Sequence, residues 1–272
     1  MITNPNCKIN LGLHIVEKRP DGYHNIETVF YPIDICDKLE INPSEKFTFS
    51  QNGIQLECSD SDNLCVKAYN MIKKDFPHIG NVDIKLTKNI PFGAGLGGGS
   101  SDAAFTLKMI NNIFTLNLSS KQLSNYARKL GADCAFFIEN KPVYATEKGD
   151  IFETCNVSLK DYSLLLIKPD VFISTPEAYS GVKPCKSPND IREILSHPIN
   201  TWKDRLINDF EVSIFQKHPL LAEIKSSLYK HGAIYASMSG SGSSMFGLFP
   251  KDYTITTNVF EIKGFTQFVT NL

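Results

Sequence analysis

The feature that most constrains this chain is a glycine-rich loop that stands between an apolar segment and a helical pattern. Five glycines fall within the seven residues 93–99. The segment reads Ile90-Pro91-Phe92-Gly93-Ala94-Gly95-Leu96-Gly97-Gly98-Gly99-Ser100-Ser101-Asp102-Ala103-Ala104. Glycines let backbone N–H groups crowd around one point, and the first N–H groups of a following helix have no intrahelical partner.

Such donors at the positive end of a helix dipole bind phosphate oxygens. The loop therefore predicts a phosphate site, where two serines and an aspartate open the helix and the hydroxyls of Ser100 and Ser101 contact a phosphate or Mg²⁺. The alternative interpretation is a flexible linker followed by an ordinary helix cap. The proline before the loop and the apolar helix after it favour the phosphate site.

The loop lacks the context of two familiar nucleotide-binding motifs. Residues 93–98 satisfy G-x-G-x-x-G, but a Rossmann loop follows the first strand of a βαβ unit and has an acidic residue about twenty positions later. Here the loop begins about ninety residues into the chain, and residues 116–120 are not acidic. No G-x-x-x-x-G-K-[ST] motif occurs in the sequence, which excludes a P-loop. We therefore expect a phosphate loop of a third kind.

The loop itself has to supply the groups that bind a phosphate, because the chain has no net positive charge that would attract anions. The 272 residues include 28 Lys and Arg against 29 Asp and Glu, a net charge of −1. This balance argues against a nucleic-acid partner and favours a small molecule. No signal peptide is visible and the apolar runs are too short to cross a bilayer, so we expect a cytoplasmic protein without a membrane partner.

The cysteines predict reduced thiols. Seven is an odd number, and the sequence contains no C-x-x-C pair, which argues against a disulfide framework or structural zinc. They are Cys7, Cys36, Cys58, Cys65, Cys134, Cys155 and Cys185.

Hydrophobic periodicity predicts strands and helices mixed without regular βαβ alternation. Strands are predicted over residues 8–15, 27–34, 46–49, 82–87, 163–168, 233–238 and 244–249. Helices are predicted over 62–74 and 101–114, from the capping box at Ser119 to Gly131, and near 191 and 220. This order indicates an α+β fold in two parts. A turn at 148–150 places the boundary there and gives domains 1–152 and 153–272.

Lys8 and Asp133 are candidates for the charged groups that phosphoryl transfer requires. Such a site needs a cation near the transferred group and a group that orients or deprotonates the acceptor hydroxyl. Lys8 lies on the first predicted strand, where an exposed surface lysine is the alternative. Asp133 follows Leu130-Gly131-Ala132 at a helix end and precedes an apolar run, so it is either a cap or a functional acid.

Two turns are candidates for ligand contacts. The turn at 237–244 reads Ser-Met-Ser-Gly-Ser-Gly-Ser-Ser and is either a simple hairpin turn or a second small-residue loop that closes over the same ligand. The turn Asp21-Gly22-Tyr23-His24 is either a hairpin with a packed tyrosine or a platform that stacks on and hydrogen-bonds to a planar base.

In their order along the chain, these segments resemble the GHMP kinase superfamily. The likeness is carried by residues 8–11 with 21–24, 91–104, 130–133 and 238–242. The Asp-Gly-Tyr-His turn and the triple glycine before Ser-Ser are similar to the members that phosphorylate the 2-hydroxyl of a cytidine-diphosphate-linked methylerythritol in non-mevalonate isoprenoid biosynthesis. The resemblance implies a two-domain α+β fold, with a ribosomal-protein-S5-like N-terminal domain, a ferredoxin-like C-terminal domain and an active site in the cleft between them.

The resemblance also implies roles for individual residues. Asp133 would be the catalytic base and Lys8 its partner, while Tyr23 and His24 would hold the cytosine, with Tyr179 on its other face. ATP and Mg²⁺ would be the cofactors, with the metal ligands unknown, and the protein would be a monomer or homodimer. The implied ATP-binding residues are Pro91, Gly93, Ala94, Gly95, Leu96, Gly97, Gly98, Gly99, Ser100, Ser101, Lys88 and Asn63. The implied substrate-binding residues are Asn10, Tyr23, His24, Thr175, Tyr179, Gly240, Ser241 and Gly242.

Three alternatives remain at this point. Another GHMP kinase, acting on mevalonate, homoserine or a sugar, would share both glycine turns but has no need for Tyr23 and His24. A non-catalytic nucleotide sensor would be favoured by the loss of Lys8 or Asp133, and both are present. An RNA-binding module is disfavoured because the net charge is −1 and the chain shows no basic stripe. The sequence departs from the family in two places. Cys134-Ala135 stand where Val-Pro often follows the acid, and the segment after Phe249 is short.

Overall fold

The computed structural model describes residues 1–55, 59–187, 189–255 and 265–272. The chain divides into two compact units, each assembled from several segments. Unit 1 comprises Met1–Cys7, Ile35–Phe92 and Gly97–Lys141, and unit 2 comprises Lys8–Asp34, Gly93–Leu96 and Pro142–Leu272. The glycine loop thus contributes its first half to unit 2 and its second half to unit 1. The domain boundary at residue 152 stays a prediction.

Strands and helices are mixed along the chain. The strands are β1 (Ile2–Thr3), β2 (Asn6–Lys18), β3 (His24–Cys36), β4 (Lys38–Ser44), β5 (Thr48–Gly53), β6 (Asn81–Lys88), β7 (Val143–Thr146), β8 (Ile151–Thr154), β9 (Tyr162–Pro169), β10 (Tyr235–Met238), β11 (Met245–Pro250) and β12 (Phe265–Asn271). The helices are α1 (Leu64–Asp75), α2 (Gly98–Ile113), α3 (Ser120–Leu130), α4 (Phe136–Glu139), α5 (Thr175–Ser180), α6 (Ile191–Leu195), α7 (Phe210–Lys217) and α8 (Pro219–Lys230). The predicted α+β class is confirmed.

Unit 1 is a sheet of order β1-β4-β6-β5 with α1 to α4. β4 pairs antiparallel with β1 and β6, and β5 lies parallel to β6. Every second residue of β6 is buried, and this series ends at Lys88. α2 packs against β4, α1 and α3. The alternating burial of β6 therefore directs a lysine into the interior of unit 1, close to the start of the glycine loop.

Unit 2 contains two sheets, one of order β2-β3-β7-β8 and one of order β10-β11-β9-β12. β9 is a central strand, and its run Leu164-Leu165-Leu166-Ile167 is fully buried, as expected of a strand that is covered on both faces. The register pairs Ile167 with Met245 of β11 and with Gln267 of β12. α7 and α8 pack over this sheet, and their apolar residues form one core with β9, β10 and β11.

The local signals in the sequence have mixed outcomes. Ser119 caps α3 with the predicted capping box, because its side chain accepts from Gln122 and the Gln122 side chain accepts from the Ser119 N–H. α2 begins at Gly98, three residues before the predicted start. Eight elements were not predicted at all, namely β1, β4, β7, β8, β12, α4, α5 and α7.

Two findings concern cysteines and membranes. All cysteines of the described ranges are free thiols, as predicted, and Cys58 lies outside those ranges. In the part of the chain that the structure describes, the helices are too short or too polar to span a bilayer.

Candidate active site

In unit 2 the first half of the glycine loop lies directly against the second glycine turn. Gly95 has φ +75°, and a Cβ at this position would lie 1.9 Å from the backbone oxygen of Ser239. The Ser239 Oγ donates to the Gly95 carbonyl at 2.9 Å, and the Ser244 N–H donates to the Ala94 carbonyl at 3.3 Å. Two backbones approach this closely only where a side chain is missing. The structure thus brings the two predicted turns together.

Lys8 is buried against this loop, which rules out the exposed strand lysine. Its Nζ donates to the Asn10 Oδ1 at 2.7 Å and to the Gly95 carbonyl at 3.0 Å. The Asn10 Nδ2 in turn donates to the Thr28 Oγ1 at 2.9 Å, and that hydroxyl donates to the Gly12 carbonyl at 2.6 Å. This chain of hydrogen bonds fixes the orientation of the ammonium group on the glycine loop.

Sequence reasoning missed the residues that hold the second glycine turn. The Asn208 Nδ2 donates to the carbonyls of Met238 and Gly240 at 2.8 and 2.9 Å. The Glu211 Oε1 accepts from the Met238 N–H at 2.8 Å and from the Ser237 Oγ at 3.0 Å. Asn208 lies two residues before α7 and Glu211 lies in the first turn of that helix. Both are about thirty positions from the turn, and no sequence pattern links them to it. Gly240 and Gly242 have φ +55° and +88°, and Ser241 lies between them.

In unit 1 the second half of the loop forms the N-terminus of α2. Gly97 precedes the helix with φ +70°, and the Ser101 N–H donates to the Gly97 carbonyl at 2.9 Å. The N–H groups of the three residues before Ser101 therefore have no intrahelical acceptor. The Ser101 Oγ is buried and has no hydrogen-bond partner among the described residues. The helix start is therefore rich in N–H donors, and its binding of a phosphate stays a prediction.

Asp133 lies in a 3₁₀ turn, Ala132–Ala135, that follows α3 and packs against α2. The next residue, Cys134, is fully buried, and its thiol is hydrogen-bonded to Ser100 in the first turn of α2. Burial raises the pKa of the Cys134 thiol to about 11, so it stays protonated. Cys134, which stands where the family often has valine, therefore ties the turn of Asp133 to the first turn of α2.

The residues assigned to the cytosine lie together in unit 2. The rings of His24 and Tyr179 are stacked, with centroids 4.6 Å apart and planes at 22°. Tyr23 is 61% exposed, which rules out the packed tyrosine, and the Lys148 Nζ lies 5.1 Å from the centre of its ring. Burial and the positive charge of Lys18 lower the pKa of His24 below its usual 6.5. Thr175 begins α5, the helix that carries Tyr179.

The side chains of Lys88 and Asn63 serve the fold. The Asn63 Oδ1 accepts from the Cys65 N–H at 2.9 Å and caps α1. The Lys88 Nζ is buried between the carboxylates of Asp37 and Asp102. Their contact with a nucleotide stays a prediction. So does that of Pro91, which is buried at the start of the loop.

Comparison with protein-family profiles finds two matches. The profile described as GHMP kinases N terminal domain matches residues 63–141, and the one described as GHMP kinases C terminal matches residues 192–255. The first match contains the whole glycine loop and Asp133, and the second contains the Ser-Gly turn.

Curated proteins match along nearly the whole chain. A protein of Bacteroides thetaiotaomicron named 4-diphosphocytidyl-2-C-methyl-D-erythritol kinase is 55% identical over 97% of this chain and 99% of its own length. A protein of the same name from Prosthecochloris aestuarii is 41% identical over 90% of this chain and 88% of its own length.

Solved structures give the same result. A crystal structure of 4-(cytidine 5'-diphospho)-2C-methyl-D-erythritol kinase matches with a TM-score of 0.80 and 30% identity, covering 91% of this chain and 90% of its own. The mevalonate kinase of Methanococcus jannaschii has a TM-score of 0.73 at 15% identity, covering 99% of this chain and 97% of its own, which shows a shared fold. The two-domain α+β fold predicted from the resemblance is confirmed, and the chain belongs to the 4-diphosphocytidyl-2-C-methyl-D-erythritol kinase family of the GHMP kinases.

Proposed function

We propose that this chain transfers the γ-phosphoryl group of ATP to the 2-hydroxyl of 4-diphosphocytidyl-2-C-methyl-D-erythritol. The observation that carries the proposal is the buried ammonium of Lys8, which is hydrogen-bonded to the Gly95 carbonyl of the phosphate loop. A fixed cation on a phosphate loop suits phosphoryl transfer, because charge develops on the transferred group and on the leaving oxygen. The curated relatives carry the name of this activity at 41–55% identity.

The loop and the N-terminus of α2 bind the phosphates of ATP. The N–H groups at the helix start supply donors and the helix dipole supplies positive potential. The buried Ser101 Oγ, which lacks a partner in the described ranges, gains one from a phosphate oxygen. A hydroxyl that is buried without a hydrogen bond destabilises the folded state, so this contact also removes that penalty at the start of α2.

The donor set fits Mg²⁺ that is bound mainly through phosphates. Mg²⁺ is held in such sites by one or two protein oxygens, substrate phosphates and water, rather than by a cage of side chains. The described residues contain no cluster of three or more His, Cys, Asp or Glu that would form such a cage. Ser100 and Ser101 supply hydroxyl oxygens at the helix start. When bound, the ion neutralises charge on the β- and γ-phosphates.

Asp133 and Lys8 act on the acceptor and on the transferred group. The carboxylate of Asp133 takes the proton of the 2-hydroxyl while the hydroxyl oxygen bonds to the γ-phosphorus. The bond from the γ-phosphorus to the β,γ-bridging oxygen breaks, and ADP leaves with that electron pair. The ammonium of Lys8 stabilises the negative charge of the transferred group. The 3₁₀ geometry after Gly131 and the Cys134–Ser100 hydrogen bond hold the turn of Asp133 at the phosphate helix.

The cytidyl group binds at Tyr23, His24 and Tyr179. An exposed tyrosine ring offers a stacking face for cytosine. The lowered pKa keeps His24 neutral near pH 7, so its ring offers one donor and one acceptor to the base. Mevalonate, homoserine and sugars have no planar base, and these residues therefore discriminate against them.

The direct test measures ADP release from MgATP with four acceptors in parallel, namely the cytidyl-methylerythritol, mevalonate, homoserine and galactose. We expect turnover with the cytidyl compound alone. Turnover with a different acceptor would retain the phosphate loop and refute the roles of Tyr23, His24 and Tyr179. Nucleotide binding without turnover of any acceptor would favour a nucleotide sensor.

Asp133→Asn tests the proposed base. The substitution keeps size and removes the proton acceptor, so kcat should fall by about 10²–10⁴-fold, with both KM values nearly unchanged. Stopped-flow or coupled ADP assays measure this loss. Asp60→Asn, on an exposed 3₁₀ turn of the same unit, is the matched control and should retain full kcat. A kcat near that of the control would show that Asp133 is not the base.

A further inference from the structure

Three charged side chains are buried together in unit 1, next to the two ends of the glycine loop. Asp37, Lys88 and Asp102 are 1%, 3% and 2% exposed. The Lys88 Nζ donates to the Asp102 Oδ2 at 2.6 Å and is also hydrogen-bonded to the Asp37 Oδ2. One ammonium therefore bridges two carboxylates in the interior of unit 1.

The cluster joins the two ends of the glycine loop. On the side before the loop, the Asp37 Oδ1 accepts from the N–H groups of Asn89 and Ile90 at 2.6 and 2.8 Å. On the side after it, Asp102 belongs to α2, one turn from the helix start. A Cβ on Gly98, the first residue of α2, would lie 3.4 Å from the Lys88 Nζ and 2.9 Å from Ile90 Cγ2. The ends of the loop are thus held together around one ammonium group.

Burial of these three charges costs desolvation free energy, which indicates that the cluster has a role other than stabilising the fold. Two carboxylates and one ammonium leave an excess negative charge, and burial raises the pKa of Asp102 to about 7 against the opposing attraction of Lys88. Burial alone would lower the pKa of Lys88, but the charges of Asp102 and Asp37 outweigh it and raise that pKa. Apolar side chains of similar volume often stabilise a core as well as a buried ion pair does, whereas they do not fix backbone positions through hydrogen bonds.

We propose that Asp37 and Asp102, bridged by Lys88, are positioning residues that hold both ends of the glycine loop so that its N–H groups converge on the phosphates of ATP. They act through the backbone of Asn89, Ile90 and the first turn of α2, and they do not touch the nucleotide. The inference rests on the proposed function to the extent that the loop binds ATP. It predicts that damage to the cluster weakens nucleotide binding and leaves the binding of the acceptor intact.

The test compares Asp102→Ala with Asp102→Asn. Alanine removes the link from α2 to Lys88, and we expect the Kd of ADP with Mg²⁺, measured by calorimetry, and the KM of ATP each to rise roughly tenfold. Asparagine retains an oxygen that accepts from Lys88, so it should restore both values to within about twofold of wild type. The KM of the cytidyl substrate should stay unchanged in both variants. If Asp102→Ala does not give folded protein, Asp102→Ser, whose hydroxyl is too short to reach Lys88, replaces it.

A stability-matched control separates positioning from general destabilisation. Ile110→Val opens a small cavity in the buried face of the same helix, away from the cluster, and lowers the melting temperature without touching the loop. The KM of ATP should stay at the wild-type value in this control. If Asp102→Ala lowered only the melting temperature, as Ile110→Val does, the cluster would be merely structural and the proposal would be overturned. A wild-type protein that binds ADP but phosphorylates no acceptor would instead refute the proposed function. The Kd of ADP in the Asp102 variants would still show whether the cluster positions the loop.

Discussion

Lys8 and Lys88 are both 3% exposed, and both lie beside the glycine loop, yet their surroundings differ. In unit 2, Lys8 donates to two neutral oxygens, the Asn10 amide and the Gly95 carbonyl, and its Nζ lies 4.9 Å from the centre of the Phe30 ring. In unit 1, Lys88 is held between two carboxylates. One lysine bonds to the loop itself, and the other joins the chain segments on either side of the loop.

The difference shows that burial of a lysine near a ligand loop does not decide its role. Two carboxylates hold the Lys88 ammonium and cancel its charge, whereas the Lys8 ammonium donates to a carbonyl of the glycine loop itself. We therefore assign the chemistry to Lys8 and the architecture to Lys88. The two assignments therefore predict different effects when each lysine is replaced by methionine: a loss of stability at Lys88 and a loss of turnover at Lys8.

Lys88→Met should have the largest effect, and the effect should be on stability. Removal of the ammonium leaves two carboxylates buried together, which typically costs about 3–5 kcal/mol when one partner of a buried ion pair is lost. Urea unfolding at pH 8, where Asp102 would otherwise be largely charged, measures the loss. Lys85→Met on the same strand is the matched control, because its ion pair with Asp83 is exposed and should be worth less than about 1 kcal/mol. Equal unfolding free energies in the two variants would contradict the architectural role.

Lys8→Met should have the next largest effect, and the effect should be on turnover. Loss of a fixed cation at the transferred group is expected to lower kcat by about 10²–10³-fold, with smaller changes in KM. Lys85→Met should keep the wild-type kcat and again serves as the control. A Lys8→Met variant with wild-type kcat and a lowered melting temperature would make the two lysines equivalent and would remove the distinction drawn above.

The sequence predicted the local parts of this site better than its long-range parts. The glycine loop, the Ser-Gly turn and the Ser119 capping box are each set by residues close to one another in the chain, and the structure contains all three. Asp37, Lys88 and Asp102 are separated by 51 and 14 residues, and only the pairing of β4 with β6 and the packing of α2 on β4 bring them together.

The early start of α2 has a similar explanation. Glycine is a poor helix former, so local propensity places the helix start after the three glycines. In the structure Gly98 and Gly99 are nevertheless helical. A Cβ on Gly98 would lie 2.9 Å from Ile90 Cγ2, so the packing at this position requires glycine. Tertiary packing thus selects glycine here against its propensity. The contact of His24 with Tyr179, 155 positions later, likewise has no local signal.

The smallest predicted effect concerns His24. Protonation of its ring should cause the loss of affinity for the cytidyl substrate at acid pH. Its pKa lies below 6.5 because burial and the charge of Lys18 disfavour the imidazolium. The folded state therefore holds a neutral ring down to lower pH than an unfolded chain does, and affinity for the cytidyl substrate should be lost only as the pH falls through this lowered pKa. Nuclear magnetic resonance titration of the imidazole, with His24→Gln for assignment, and the pH dependence of kcat/KM should give the same midpoint.

Lys18→Met sharpens this test, because it removes one of the two causes and leaves the burial of His24 in place. The midpoint should move up toward 6.5, and added salt should shift the midpoint of the wild type in the same direction by screening the same charge. The acid limb of kcat/KM should move with it, whereas the kcat/KM for ATP should not. A wild-type midpoint at or above 6.5, or an acid limb that survives in His24→Gln, would assign that limb to a group other than His24.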